Sequence, residues 1–177
     1  MSIFGIFLFF MLLLIILLIL IDSAKNGITP TPSTGKERIA AIKLATPLDP
    51  NSIADLGAGF GTMAFSLAKE FPKAKVVAYE TASVPCVILF IRKMVQPRSN
   101  LTIKRANFMN EDLSKYDLLY TYLYPKAMER LQEKLIQPKT TLISNAFAMP
   151  KWKPAFIWPV ESKTSYSSIY LYRRNSS

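Results

Sequence analysis

Between residues 52 and 61 the chain reads Ser52-Ile53-Ala54-Asp55-Leu56-Gly57-Ala58-Gly59-Phe60-Gly61: a short apolar run, a carboxylate, and three alternating glycines. Glycine has no Cβ, so the backbone here can turn sharply or approach a ligand closely, and the helix that follows aims its unpaired N-terminal amides at the same place. Strand, glycine-rich turn and helix make a nucleotide-binding corner. The dinucleotide fingerprint puts its third glycine three residues after the second, but that position is Thr62 here and the glycine comes at 61. The spacing argues against NAD. The glycines alone would suit any α/β domain with a tight first turn. A second apolar run, Lys75-Val76-Val77-Ala78-Tyr79, ends on Glu80, however, and two acid-tipped strands together point to a nucleoside-type cofactor.

An acid followed by G-x-G-x-G resembles motif I of the class I S-adenosylmethionine-dependent methyltransferases. The resemblance implies S-adenosylmethionine as cofactor, with Asp55, Gly57, Ala58, Gly59 and Gly61 around it. It also implies that Glu80 accepts both ribose hydroxyls, with Thr81 beside it.

The elements that must hold these residues follow from periodicity and punctuation. Strands are predicted at 52–55, 75–79, 101–105, 117–123 and 140–145, and helices at 62–70, about 84–95 and 126–136, the last opened by Pro125. Alternating strands and helices imply a mainly parallel sheet covered on both faces. Pro154–Val160 and Ser167–Arg173 are both strand-like, and the polar turn between them is so short that they must pair antiparallel. A mainly parallel sheet closed by such a hairpin is what the Rossmann-like class I methyltransferase fold looks like, although there is almost no room for a helix before the hairpin. Upstream, Thr34-Gly35-Lys36-Glu37 has capping-box spacing, and Ile39, Ile42 and Leu44 offer the next short helix an apolar face that Pro47 ends. Residues 26–35 read as an extended linker.

The chain has 177 residues, enough for one domain plus a small addition. A net charge of +10, from 22 Lys and Arg against 12 Asp and Glu, leaves nucleic acid, anionic lipid and acidic protein surfaces all open as partners. There is no histidine, and the lone Cys86 cannot form an intrachain disulfide, so the composition argues against a metal centre and suits a reducing compartment. From Ile3 to Ile21 no charge occurs, and at ~1.5 Å per residue this run reaches about 28 Å, close to a bilayer's hydrocarbon thickness. A cleaved signal peptide is the competing reading. It would want a basic n-region, a shorter apolar run and a better small-x-small site than Asp22-Ser23-Ala24. We therefore expect a transmembrane anchor over 1–24, a linker and pre-domain helix over 25–46, and a catalytic domain over 47–177. Lys25, Lys36, Arg38 and Lys43 follow the apolar run, so the positive-inside rule keeps that domain cytoplasmic on a single-pass membrane protein.

Further stretches narrow the resemblance to the membrane-anchored protein-lysine methyltransferases of the mitochondrial ADP/ATP carrier and the ATP synthase c-subunit, with their prokaryotic relatives. Thr29-Pro30-Thr31-Pro32 is similar to that family's Val-Pro-Thr-Pro segment, and Ala78-Tyr79-Glu80 to its Gly-Tyr-Glu. Asn107-Phe108 through Asp112-Leu113-Ser114-Lys115-Tyr116-Asp117 sits where relatives have Asp-Leu-x-x-x-Asp-Leu-Ser, and Ala146 through Pro154 is similar to their Phe-Pro-x-Pro-x-Trp-x-Pro. The resemblance adds Thr31, Pro32, Asn107 and Phe108 to the cofactor set. Three departures stand out: Phe60 replaces an acid of the family's Gly-Ser-Gly-Asp-Gly, Asn107, whose side-chain oxygen can meet an adenine amino group, replaces another, and Thr81-Ala82 replaces its Asn-Pro after the second-strand Glu.

Methyl transfer from a sulfonium is an in-line displacement, so alignment and a dry cleft do most of the work and no catalytic histidine is needed. Tyr122 and Tyr124, after the fourth strand, lie where such a fold presents its acceptor and are the candidate catalytic residues; ordinary packing is the alternative. The expected partner is a membrane protein offering a lysine, with lipid met through the anchor and the basic surface. Other readings are a methyltransferase acting on a lipid or quinone-like molecule, and a non-catalytic basic membrane module with a decayed cofactor site. Nucleic-acid methylation is disfavoured, because Leu123-Tyr124-Pro125 only partly echoes the Asp/Asn-Pro-Pro-aromatic motif.

Overall fold

The computed structural model describes residues 2–26, 31–135, 140–161 and 166–173, and the side chains described in its first helix end at Leu17. That helix, α1, runs Ile3–Asn26, and α2 runs Gly35–Ala45. The domain continues as β1 (Ser52–Leu56), α3 (Thr62–Glu70), β2 (Lys75–Glu80), α4 (Ser83–Val95), β3 (Leu101–Arg105), β4 (Leu118–Thr121), α5 (Pro125–Lys134), β5 (Thr141–Asn145), β6 (Phe156–Glu161) and β7 (Tyr166–Tyr172). The strands form one seven-stranded sheet in the order β3-β2-β1-β4-β5-β7-β6. All pairs are parallel except those of β7, which runs antiparallel to both β5 and β6. This is the expected class I Rossmann-like sheet with its antiparallel end.

The central strands are apolar because both faces are covered. β4 is buried at every position, and so is β1 from Ile53 onward. On one face α2, α3 and α4 share a core that includes Ala41, Met63, Phe65 and Leu89; on the other α5 packs with Tyr116, Leu119 and Leu142. Asp117 ties the two central strands at their amino ends, its Oδ2 accepting from the Ser52 amide and hydroxyl at 2.9 and 2.8 Å. Order reverses between β1 and its neighbours β2 and β4, and in such sheets ligands bind at the carboxyl ends of the strands beside that switch point.

Several expectations need correction. The capping box at Thr34 and Glu37 is present, yet the buried face of α2 is Glu37, Ala40, Ala41 and Ala45, while Ile39 stays 57% exposed. Alanines let the helix lie close on the sheet, so the narrow side packs inward and the bulky side chain is left outside. The fourth strand stops at Thr121 rather than 123, because its neighbours end with it: Leu56 and Ser144 are the last residues paired to it. Residues 122–124 thereby become the loop into α5, which begins at Pro125 itself. Linker residues 27–30, helix residue 136 and the hairpin turn at 162–165 lie outside the described residues.

Among the described residues no helix is long and apolar enough to cross a membrane. The described side chains of α1, from Ile3 to Leu17, cover only about 22 Å at ~1.5 Å per residue. They are nearly all apolar and exposed, Phe4, Phe7 and Phe10 among them.

Candidate active site

β1 delivers Asp55 to the carboxyl edge of the sheet, and the chain then folds back through Gly57, Gly59 and Gly61 at φ of 80°, 53° and 77°. An L side chain is strained in this left-handed region, so the glycines are a steric requirement of the turn. The turn is pinned to the second strand: the amides of Gly57 and Ala58 both donate to the Tyr79 carbonyl, at 3.0 and 2.8 Å. Glu80 completes the lock. Its Oε2 accepts from the Gly59 amide at 2.7 Å, and its Oε1 accepts from the amides of Thr81 and Ala82 at 2.7 and 2.8 Å. These three backbone donors fix the carboxylate at the cavity, where its oxygens can also accept from ligand hydroxyls.

Above this turn lies a cavity of about 630 Å³, within the range of sites for nucleoside-sized ligands. Thr31, Pro32, Asp55, Gly57, Ala58 and Gly59 line it, as do Glu80, Thr81, Asn107, Phe108, Tyr122 and Tyr124. Gly61 does not. It caps α3 behind the turn, where a Cβ would run into Leu89 of α4 and the ring of Phe65, so its task is to let the two helices meet. Phe60 lines the cavity, and its carbonyl accepts from Arg92 Nη1 at 3.2 Å. Asn107 spends one acceptor position of its Oδ1 on the Met109 amide at 3.0 Å. The second lone pair of that oxygen can still meet an amino group.

Asp55 carries the electrostatics of the cavity. It is 2% exposed and its Oδ2 has no hydrogen-bond partner among the described residues. Burial first, and the nearby Glu80 second, push its carboxyl up to about 7, against a smaller opposing contribution from the backbone of Ala64. An unpaired carboxylate in a dry wall is costly unless a cation meets it. S-adenosylmethionine fits this site: it has a sulfonium and an ammonium for Asp55, and an adenosine whose hydroxyls and amino group suit Glu80 and Asn107.

At the other end of the cavity Tyr122 packs against Phe147, with ring centroids 6.4 Å apart, and burial together with Glu37 raises its hydroxyl above the ordinary tyrosine value. Tyr124 forms the N-cap position of α5. Sequence reasoning did not single out the buried set Ser33, Tyr120 and Asn145. Ser33 Oγ and Tyr120 Oη are 3.0 Å apart, and Asn145 Nδ2 donates to Ser33 Oγ at 3.5 Å. These bonds hold segment 31–33 in the cavity wall, and Tyr120 is paired with Asp55 across the β1–β4 ladder. Arg130 of α5 also reaches the wall.

Residues 55–156 match the family described as the ANTKMT methyltransferase domain. The chain belongs to that family. It is therefore a methyltransferase, the enzyme class expected from the glycine-rich turn. A protein-lysine N-methyltransferase of Saccharolobus islandicus (strain REY15A) is 27% identical over 149 residues, covering 81% of this chain and 90% of that protein. Among solved structures, an RNA methyltransferase from Salinibacter ruber in complex with S-adenosyl-L-homocysteine superimposes with a TM-score of 0.69 at 18% identity, covering 83% of this chain and 95% of that one. Magnesium protoporphyrin IX methyltransferase from Synechocystis PCC 6803, with bound S-adenosylmethionine, gives 0.60 at 15% identity over 77% and 78%. At these identities the structures bear on the fold alone.

Proposed function

We propose that this methyltransferase uses S-adenosylmethionine to methylate a lysine of a membrane protein, and that α1 holds it at the membrane with the catalytic domain on the cytoplasmic side. The observation that carries the donor is the buried Asp55 carboxylate, whose Oδ2 has no partner among the described residues, beneath the Glu80-locked glycine turn. Family membership and the protein-lysine relative support the acceptor class. The anchor rests on the uncharged run Ile3–Ile21 and the exposed apolar side chains of α1. The division into anchor (1–24), connecting segment with α2 (25–46) and catalytic domain (47–177) belongs to the same proposal, with α2 lending Ala40, Ala41 and Ala45 to the core.

The bound donor supplies an electrophilic methyl group on a positively charged sulfur. The protein's share is to hold it and to prepare the amine. Asp55 answers the donor's positive charge, and Glu80, Thr81, Asn107 and Phe108 hold the nucleoside. Thr31 and Pro32, held in the cavity wall by the anchored Ser33, help to exclude water. A lysine of pKa ~10.4 must lose its proton at neutral pH, which costs about 4 kcal/mol. Tyr122 and Tyr124, their rings in the cavity wall, disfavour the charged amine and accept its remaining N–H groups through their hydroxyl oxygens. A donor held by Asp55, Glu80 and Asn107 would supply its methyl group to the amine's lone pair, and the proton lost before transfer and the one lost after it would both pass to water.

The test is to incubate the full-length protein with methyl-labelled S-adenosylmethionine and membranes, then separate protein from solvent-extracted lipid. Label on lysine in a protein band is expected. Label in the lipid extract would overturn the acceptor, and no transfer into any fraction would overturn the reaction.

A further inference from the structure

α4 is apolar on both sides. Pro85, Cys86 and Leu89 face the core, while Val87, Ile88, Phe90, Ile91, Met94 and Val95 are exposed, Met94 by 83% and Val95 by 74%. At ~100° per residue the six exposed side chains sweep a continuous arc of about 160°, with Arg92 at one border and Lys93 at the other. A helix apolar all round is normally buried, and here α1 lies against α4 without covering that arc.

The surrounding charge is one-sided. From Thr81 to Asn110 there is no acidic residue, while Arg92, Lys93, Arg98 and Arg105 are basic; Lys104, over the Tyr79 ring, is paired with Glu111 at 3.6 Å. The positive charge of Arg38 on α2 also acts on Arg92. Arg92 and Lys93 fold back to donate to the carbonyls of Phe60 and Leu101, which leaves the apolar arc clear between them. A broad apolar face with a basic border is the pattern of a helix lying in a membrane interface, its side chains among acyl chains and its cations among anionic headgroups.

We propose that the outer face of α4 seats the catalytic domain in an anionic lipid surface, so that the domain lies on the membrane instead of swinging on a flexible stalk. This rests on the reading of α1 as an anchor and extends it, because α1 lies against α4 and each exposes apolar side chains. Ala82 and Pro85, at the start of α4, line the cavity, so seating α4 brings the cavity's nucleoside end near the headgroups and limits which acceptor lysines can approach. The occupant is the bilayer. A second copy of the chain, or α1 folded down over α4, would cover the arc with protein, and charged borders on both sides are poorly suited to that.

The test uses the full-length protein in vesicles of equal parts phosphatidylcholine and phosphatidylglycerol, with a nitroxide placed by Val87→Cys, Ile91→Cys or Met94→Cys. Lys126→Cys, on the exposed side of α5, is the reference. Collision with oxygen over a water-soluble nickel chelate is expected to be favoured about fivefold or more at the α4 positions relative to Lys126→Cys, and to weaken when phosphatidylglycerol is omitted. Nickel accessibility equal to the reference would overturn the inference, and so would shielding from both reagents. Carbonate extraction of the same vesicles reads α1 separately. Chain retained in the vesicles with α4 in water sinks the seating alone, whereas chain released by carbonate sinks the anchor and the seating together.

Discussion

Glu80 Oε2 accepts the Gly59 amide at 2.7 Å, so the carboxylate at the tip of β2 fixes the glycine turn after β1 before any ligand arrives. Glu80→Gln puts an amide N–H against at least one of the three backbone donors that the carboxylate now satisfies. The variant is expected to lose about 1–3 kcal/mol of stability and at least about tenfold in donor affinity, read by thermal melting and calorimetry. An unchanged melting temperature would show that the lock is not needed.

The Asp55 carboxyl, pushed up to about 7 from 3.8, makes two pH predictions. Its folded value lies above its unfolded one, so the ligand-free fold is favoured most below the unfolded value. Stability is lost as pH climbs from about 4 through 7, and the loss is constant above that. Asp55→Asn is accordingly expected to raise ligand-free stability at pH 8, by on the order of 1–3 kcal/mol in denaturant titrations. A cationic donor meets the ionised form, so wild-type affinity should rise up to about tenfold per unit as pH increases towards 7 and then level. In Asp55→Asn the affinity should be weak and flat with pH.

Gly57 and Gly61 separate turn geometry from ligand contact. Both have positive φ, but only Gly57 faces the cavity. Gly61→Ala is expected to cost about 2 kcal/mol or more of stability, from left-handed strain and the collision with Leu89. Measured below its melting temperature, it should keep donor affinity within a few fold. An equal loss of affinity and stability would return Gly61 to the binding wall.

Tyr122→Phe keeps the ring that packs on Phe147 and removes only the hydroxyl. Because that hydroxyl is raised above its ordinary value, it is a neutral acceptor at pH 7–9 and not a phenolate base. Single-turnover methylation is expected to slow about tenfold with no change in the shape of its pH profile. A vanished pH inflection would assign the tyrosine a proton-transfer role instead.

Much of this molecule is legible in the order of its residues. The acid-tipped apolar runs at Asp55 and Glu80 locate the switch point of the sheet, and the glycine spacing between them points to the fold. The rest depends on contacts that local pattern does not encode. Tyr120 reads as one more buried strand residue, yet its hydroxyl meets Ser33 across 87 residues of chain, and only the folded sheet brings the two together. Ile39 satisfies an apolar periodicity but loses the buried face of α2 to alanines, because distance to the sheet decides which side packs. Gly61 looks equivalent to Gly57 and Gly59 until Leu89, in a different helix, is placed beside it. The outer arc of α4 is plain as a run of apolar residues, but its exposure is a property of the assembled domain.

The most direct test of the cavity's role is calorimetric titration of S-adenosylmethionine and S-adenosylhomocysteine into the full-length protein in detergent. The expected result is one site per chain with micromolar affinity, a dissociation constant of about 1–100 µM, weakened at least about tenfold in Glu80→Gln. No heat from either ligand across the pH range where Asp55 ionises would contradict it.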